Sequence, residues 1–354
     1  MAKTKTAILF GGMSNEHEIS CLSASSILAE IDRNKYQVVP VGITKLGHWV
    51  VFDEDFIFES GTQLPQIDEK LINRFAKGSS VVNPPMELIS ADVVFPILHG
   101  AWGEDGTIQG LLELHKVPYV GSGVLASALG MHKPLMKLIF RQAGLKVSDW
   151  RSFSEVQFHE DSEKVFAEIN NLKYPLFVKP ARGGSSVGIS KVKTTDQLEQ
   201  AILSALKHDT IFLVEEAVNN AREIECGVLA TKQRRVSVPA EIKVSKKHEF
   251  YDYQAKYLDD GADLIVPADL TQDRIKEIHD LALRAFDSIG CEGLARVDFF
   301  LTNAGDLYLN EINTMPGFTP ISMYPRTFLH SGIGFSELID QLLQEALQRK
   351  RGLR

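Results

Sequence analysis

Short apolar runs separated by helix-period segments mark out this chain. Residues 6–10 (Thr-Ala-Ile-Leu-Phe) read as a strand, followed by a glycine turn at 11–16 and a helix expected to about residue 31. Asn15 and Glu18, three apart, have the form of a capping pair at that helix start. Strands are expected at 37–43 and 91–98, and this strand–helix–strand rhythm predicts a parallel sheet with helices on its faces. Residues 44–90 carry no usable period. One helical stretch is expected from about 124 to 143. Strands at 147–151, 176–179, 189–192 and 211–215 then alternate with helices at 161–170 and 196–206. Further strands are expected at 223–230 and 236–244, a helix at 271–289, strands at 296–301 and 307–313, and an amphipathic helix at 335–348. Between them lies a long aromatic and charged stretch, 245–261, with no period. Loops of that length in a compact fold are usually functional lids or disordered, and its aromatics favour a lid.

The two strands at 296–313 hold the most telling polar residues. Side chains alternate faces along a strand, so Arg296 and Asp298 share one face, and Glu311 and Asn313 share one on the partner. Their neighbours are Val, Phe, Leu, Ile and Tyr, which predicts a largely buried hairpin. Oxygen-bearing side chains there need compensation. A hard divalent cation such as Mg²⁺ supplies it, and Mg²⁺ commonly completes its shell with substrate phosphates. The alternative is a half-exposed hairpin whose charges face water.

Composition narrows the class. A chain of 354 residues predicts two or three domains, and a net charge of −8 argues against a nucleic-acid partner. Cys21, Cys226 and Cys291 are far apart and show no metal spacing, so reduced packing cysteines are expected. No apolar run approaches the ~20 residues that span a bilayer, and the N-terminus lacks a signal-peptide core. A cytoplasmic protein without a membrane partner is expected.

Ligands on parallel sheets bind beyond the carboxyl ends of strands, where the turns at 11–16 and 99–106 would lie. Gly11 and Gly12 do not complete a dinucleotide fingerprint, because Met13 and Glu16 stand where glycines are needed. Glu16 there suits an ammonium group, or simply complements a helix dipole. In 183–188 (Gly-Gly-Ser-Ser-Val-Gly), glycines and serines between two strands offer N–H and O–H donors to phosphate, with Lys179 upstream. Ile189 replaces the lysine of a P-loop, and a strand follows rather than a helix, so a flexible flap is expected. Glu215, Glu216 and Glu223 bound a strand–linker–strand segment and read either as contacts to an adenine amino group and a ribose diol or as surface charge.

In order, the segments Phe10–Glu18, His99–Gly106, Val120–Ser127, Lys179–Gly188, Arg222–Glu225, Phe250–Tyr257, Arg296–Asp298 and Asn310–Gly317 resemble the ATP-grasp superfamily and, within it, the D-alanine–D-alanine ligases. The resemblance implies an ATP-grasp fold, α/β and α+β, with an N-terminal Rossmann-like parallel α/β domain. It also implies a division into 1–125, 126–217 (with the glycine flap) and 218–354 (with lid and metal site). It implies ATP, two Mg²⁺ (or Mn²⁺), two molecules of D-alanine and a homodimer. Asp298, Glu311 and Asn313 match the metal ligands, Lys133 and Lys179 the phosphate lysines, and Ser185, Ser186 and Gly188 the phosphate flap. Glu215 and Glu216 match the adenine edge and Glu223 the ribose contact. Glu16 matches the ammonium-binding acid and, with Ser185 and Tyr257, a trio closing the lid. Lys256 matches the lid lysine, Arg296 and the Gly317 backbone the oxyanion pair, Ser322 a carboxylate contact and His99 a residue near the reacting centre. His132, Glu216 and Pro320 depart from the usual pattern. A different ATP-grasp ligase would lack the Glu16–Tyr257 pairing, and a non-catalytic nucleotide module would lack a metal ligand or a phosphate lysine.

Overall fold

The computed structural model describes residues 2–58, 64–68, 83–244 and 262–350. Three sheets follow one another along the chain. In the first, β1 (Thr4–Gly11) lies at the centre, parallel to β2 (Tyr36–Ile43) and to β4 (Val93–Pro96). The parallel expectation needs one correction: β3 (Trp49–Val51), inside the stretch that showed no period, pairs antiparallel at the edge beside β2. Helix α1 (His17–Glu30) leaves the carboxyl end of β1, and α2 (Thr107–Leu114) follows the 99–106 turn. The expected capping pair does not form. Glu16 occupies the N-cap position without a side-chain cap, and Glu18 pairs with Lys45 instead.

The helical stretch expected from 124 to 143 is two helices, α3 (Val124–Met131) and α4 (Lys133–Gln142), broken at His132. Pro134 in the first turn explains the restart, since a ring there loses no hydrogen bond. The second sheet is antiparallel, in the order β5 (Trp150–Ser154), β8 (Ile211–Glu216), β6 (Leu176–Pro180) and β7 (Ser190–Val192). Its β5 begins three residues later than expected. Helices α5 (Ser162–Ile169) and α6 (Leu198–Leu206) bury Val165, Ile169, Leu198 and Ile202 in its core.

The third sheet runs β12 (Ala262–Ile265), β11 (Ala240–Val244), β9 (Arg222–Ala230), β13 (Gly293–Leu301) and β14 (Leu307–Asn313), with β10 (Arg234–Val236) also on β9. The strand expected at 236–244 is thus two pieces on one partner. Pro239 between them has no N–H for the ladder. Helix α7 (Gln272–Ser288) packs Ile278, Ala282, Ala285 and Phe286 into this core. Helices α8 (Met323–His330) and α9 (Phe335–Gln348) end the described chain. The amphipathic face of α9 joins the first core, where Leu338, Leu342 and Leu343 pack with Ile8, Phe10 and Phe95. This return of the chain holds the β1 and β4 turns over the β13–β14 hairpin. Among the described residues no helix is long and apolar enough to cross a membrane.

Candidate active site

A cleft of about 500 Å³ opens between the second and third sheets and reaches the turns of the first. Its first wall is the β1–α1 turn, which is fastened to the 99–106 turn. The Ser14 hydroxyl donates to the His99 carbonyl (2.6 Å) and accepts the Glu16 N–H (3.1 Å). Ser20 accepts from Gly11 N–H (2.8 Å) and donates to Ile97 O (2.5 Å). Glu16 is thereby fixed at the point where two strand ends converge. The flap reaches it from the opposite side, with the Ser185 hydroxyl donating to the Glu16 carboxylate. Gly184 permits that approach, because a Cβ there would lie 2.2 Å from Glu16 Oε2. Ser185 and Ser186 adopt φ of 47° and 60°, the left-handed turn conformation that tightens the flap tip.

At the flap's base, Lys133 Nζ donates to Gly183 O (2.6 Å), so the first residue of α4 holds the flap backbone. Burial works against the Lys133 ammonium and lowers its pKa, opposed by the facing Glu311 charge. Lys179, next to last on β6, meets Glu215 on the adjacent β8 at 2.5 Å. A second lysine completes a buried group that the sequence did not reveal. Lys137 Nζ lies 2.7 Å from Glu215 Oε2 and 2.9 Å from Ser148 Oγ, with the Lys137 and Glu215 side chains only 2% and 4% exposed. Burial pushes Glu215 towards its neutral form, but the two ammonium groups outweigh it and hold the carboxyl well below its usual range. Burial opposes the charge on Lys179 as well, and Glu215 outweighs it, raising that ammonium above its usual value. The Glu215 carboxylate, expected at an adenine edge, is enclosed by these two lysines. Glu216 accepts Lys173 N–H at its carboxylate (2.9 Å). Glu223 lines the cleft on β9, where its charge is felt at Lys179.

The floor is the β13–β14 hairpin, as expected from the alternation of its residues. Asp298 stands directly opposite Glu311, and Arg296 opposite Asn313. A bulge after Asp298 shifts the register beyond this pair. Arg296 forks onto Asp298, with Nε to Oδ1 at 2.8 Å and Nη2 to Oδ2 at 2.7 Å. Asn313 Oδ1 accepts from Met315 N–H (3.1 Å). Two carboxylates and a carboxamide on facing strands make an oxygen-only donor set, which fits Mg²⁺ or Mn²⁺ by chemistry. Among the described residues, no group of three His, Cys, Asp or Glu side chains is arranged to hold a metal. Asn313 is not of those types, and both Asp298 oxygens face Arg296.

The 313–318 loop is held by the first sheet's turn. His99 Nδ1 lies 3.1 Å from Met315 O, and its Nε2 lies 3.0 Å from Ser23 Oγ, which also accepts Phe318 N–H (3.2 Å). One assignment satisfies all three: the ring carries its proton on Nδ1, donates to Met315, and accepts from Ser23 at Nε2. Burial lowers the His99 pKa to about 4, so the ring is neutral at ordinary pH. Glu104, unassigned from sequence, accepts Gly100 N–H at 2.5 Å, and burial followed by the Glu16 charge raises its pKa. Ser322 precedes α8, 2.8 Å from Thr319 Oγ1 and facing Gly317, where a Cβ would lie 2.9 Å from its hydroxyl. Lys256 and Tyr257, with the expected lid at 245–261, lie outside the described residues.

The comparisons with known proteins agree along the whole chain. Residues 5–122 match the family model described as D-ala D-ala ligase N-terminus, and 139–344 the one described as D-ala D-ala ligase C-terminus. A D-alanine–D-alanine ligase from Arthrobacter sp. (strain FB24) is 49% identical, over 100% of this chain and 96% of its own. One from Mycobacterium ulcerans is 46% identical, over 99% of this chain and 98% of its own. Among solved structures, the D-alanine-D-alanine ligase from Coxiella burnetii superposes with a TM-score of 0.82 at 35% identity, covering 99% of this chain and 95% of its own. The VanG D-Ala:D-Ser ligase from Enterococcus faecalis has a TM-score of 0.80 at 35% identity, covering 98% and 100%. Matched in both halves and over its full length, the chain belongs to the D-alanine–D-alanine ligase family of ATP-using enzymes.

Proposed function

We propose that this enzyme joins two D-alanine molecules into D-alanyl-D-alanine, with conversion of ATP to ADP and phosphate, by way of D-alanyl phosphate. The observation that carries the reading is the meeting of Glu16 with the Ser185 flap above the Arg296–Asp298–Glu311 floor. An anion fixed beside a phosphate-binding turn suits a substrate that has an ammonium group and accepts a phosphoryl group.

In this reading Glu16 holds the ammonium of the first D-alanine, which leaves its carboxylate beside the flap. Lys133, Lys179 and the backbone N–H groups of 185–188 orient the ATP phosphates for in-line attack by that carboxylate. Asp298, Glu311 and Asn313 would hold two Mg²⁺ ions, or Mn²⁺, which when bound neutralise charge spreading over the transferred group. The backbone at 216–218 and Glu223 take the adenine and ribose. The second amine, once deprotonated, then attacks the acyl carbon, Arg296 with the Gly317 N–H faces the developing oxyanion, and the acyl C–O bond breaks to release phosphate and leave the peptide bond. Ser322 and the start of α8 receive the second carboxylate.

An acyl phosphate hydrolyses when water reaches it, and we assign its protection to the 245–261 segment. By the family resemblance we assign Lys256 to the transferred phosphate and Tyr257 to a trio with Ser185 and Glu16, both residues lying outside those the structure describes. Tyr257 favours an amine over D-lactate as second substrate. The product is a precursor of peptidoglycan. We place the enzyme in the cytoplasm, as a homodimer divided near residues 125 and 217, without nucleic-acid or membrane partners. Phosphate release from ATP tests the reading: it should require D-alanine and yield dipeptide, and dependence on L-alanine alone refutes it.

A further inference from the structure

Glu225 belongs to a row of facing acidic residues on the floor of the cleft. On β9 it pairs directly opposite Asp298 of β13, which in turn pairs opposite Glu311 of β14. Residues opposite one another in a ladder share a face, so three carboxylates form one row across three adjacent strands. The neighbouring row contributes the cation, Arg296, which is shared. It forks onto Asp298, and its Nε lies 3.1 Å from Glu225 Oε2. Both ends of that contact are largely buried, at 17% and 8% side-chain exposure. The Glu225 backbone is fixed on two sides, against Ala240 of β11 and Asp298 of β13. Glu223, on the same face by alternation, acts instead on Lys179, so one strand supplies two acids to two different cations.

The consequence concerns what happens to Arg296 when Asp298 is required elsewhere. In this structure both Asp298 oxygens serve the guanidinium. If Asp298 becomes a metal ligand, as the proposed function requires, Arg296 gives up charge-assisted bonds and gains a cation as neighbour. A buried guanidinium without a counter-ion is costly, and it would move away from the position where it is needed. We propose that Glu225 is a positioning residue that takes over Arg296 when Asp298 turns to a divalent cation, keeping the guanidinium directed at the reacting carbon. The exchange needs no backbone movement, because Glu225 already lies within ion-pair distance. It lowers the competition between Arg296 and the cation for Asp298. The inference rests on the metal role of Asp298 and the oxyanion role of Arg296.

The test uses the full-length protein and its Glu225→Gln variant, which is nearly isosteric and keeps a hydrogen-bonding side chain. Mn²⁺ binding in the presence of ADP, followed by electron paramagnetic resonance, reads the metal without turnover. The variant should bind Mn²⁺ about five- to tenfold more weakly, because Arg296 stays on Asp298. Its half-saturating Mg²⁺ for D-alanine-dependent phosphate release should rise by a similar factor, with kcat still lowered at saturating Mg²⁺. Mn²⁺ affinity and kcat within twofold of the parent overturn the proposal. A second measurement needs no variant at position 225. The Arg296 side-chain Nε–H signal, assigned with Arg296→Lys, should remain hydrogen-bonded when Mg²⁺ and ADP are added. Its loss to rapid solvent exchange overturns the proposal even if Glu225→Gln does not fold. Absence of D-alanine-dependent turnover in the parent would instead count against the proposed function, and the Mn²⁺ and Arg296 measurements would still report on Glu225.

Discussion

Replacing Lys137 with methionine tests whether the buried lysine pair sets the charge offered to the ATP phosphates. The group Lys137–Glu215–Lys179 carries one net positive charge, and Lys137→Met makes it neutral while nearly preserving volume. Glu215 keeps Lys179 at 2.5 Å, so the full ~3–5 kcal/mol penalty of an uncompensated buried charge does not apply. The lost charge-assisted bond and the disturbed Ser148 hydroxyl should cost about 1–3 kcal/mol of stability. The effect on nucleotide should be distinct. A unit charge about 8 Å from a phosphate, at an effective dielectric near 20, contributes about 2 kcal/mol, or roughly thirtyfold in affinity. Lys179 would also become the sole counter-ion of Glu215 and be held back from the phosphate. The assay is KM for ATP and kcat from phosphate release, with ADP binding measured by calorimetry. KM for ATP should rise at least tenfold with a smaller change in KM for D-alanine. A twofold change or less, in a variant that folds, would refute the assignment.

Three further outcomes follow from named contacts. Glu311→Gln should remove turnover by about 10²-fold or more while weakening nucleotide binding far less; near-normal turnover would contradict a metal role. Gly184→Ala places a methyl group 2.2 Å from Glu16 Oε2, so KM for the first D-alanine should rise about tenfold, and an unchanged value would mean the Glu16–Ser185 contact is dispensable. His99 has a folded pKa near 4, below the ordinary value of 6.5, so its contribution is present above pH 6.5 and disappears as pH falls towards 4. That dependence amounts to about 3 kcal/mol, and His99→Gln should flatten the melting temperature over that window; parent-like acid sensitivity would place its origin elsewhere.

The polar hairpin at 296–313 was legible because burial and alternation together make facing polar residues conspicuous. The C-terminal helix at 335–348 was readable because one of its faces is apolar, carrying the buried Leu338, Ile339, Leu342, Leu343 and Ala346. The β3 edge strand was not, because three residues carry too little alternation to register. The supposed cap at Asn15 failed because the turn is shaped by Ser14 and Ser20, which bond to carbonyls and N–H groups brought in from distant residues. Lys137 had a faint local signal: it sits four residues from Lys133 on a face shared with Met136 and Phe140. Its partner Glu215 comes from β8, distant in sequence, and nothing local marks that pairing. Glu104 and Glu225 are legible only as charges until strand register and turn packing bring Met315 and Arg296 to them.

The most direct measurement of the account follows oxygen. With D-alanine carrying ¹⁸O in its carboxyl group, attack of that carboxylate on ATP and release of the acyl phosphate should leave one ¹⁸O in phosphate for each dipeptide formed. Unlabelled phosphate accompanying dipeptide, or ADP formed without dipeptide in the presence of saturating D-alanine, would contradict it.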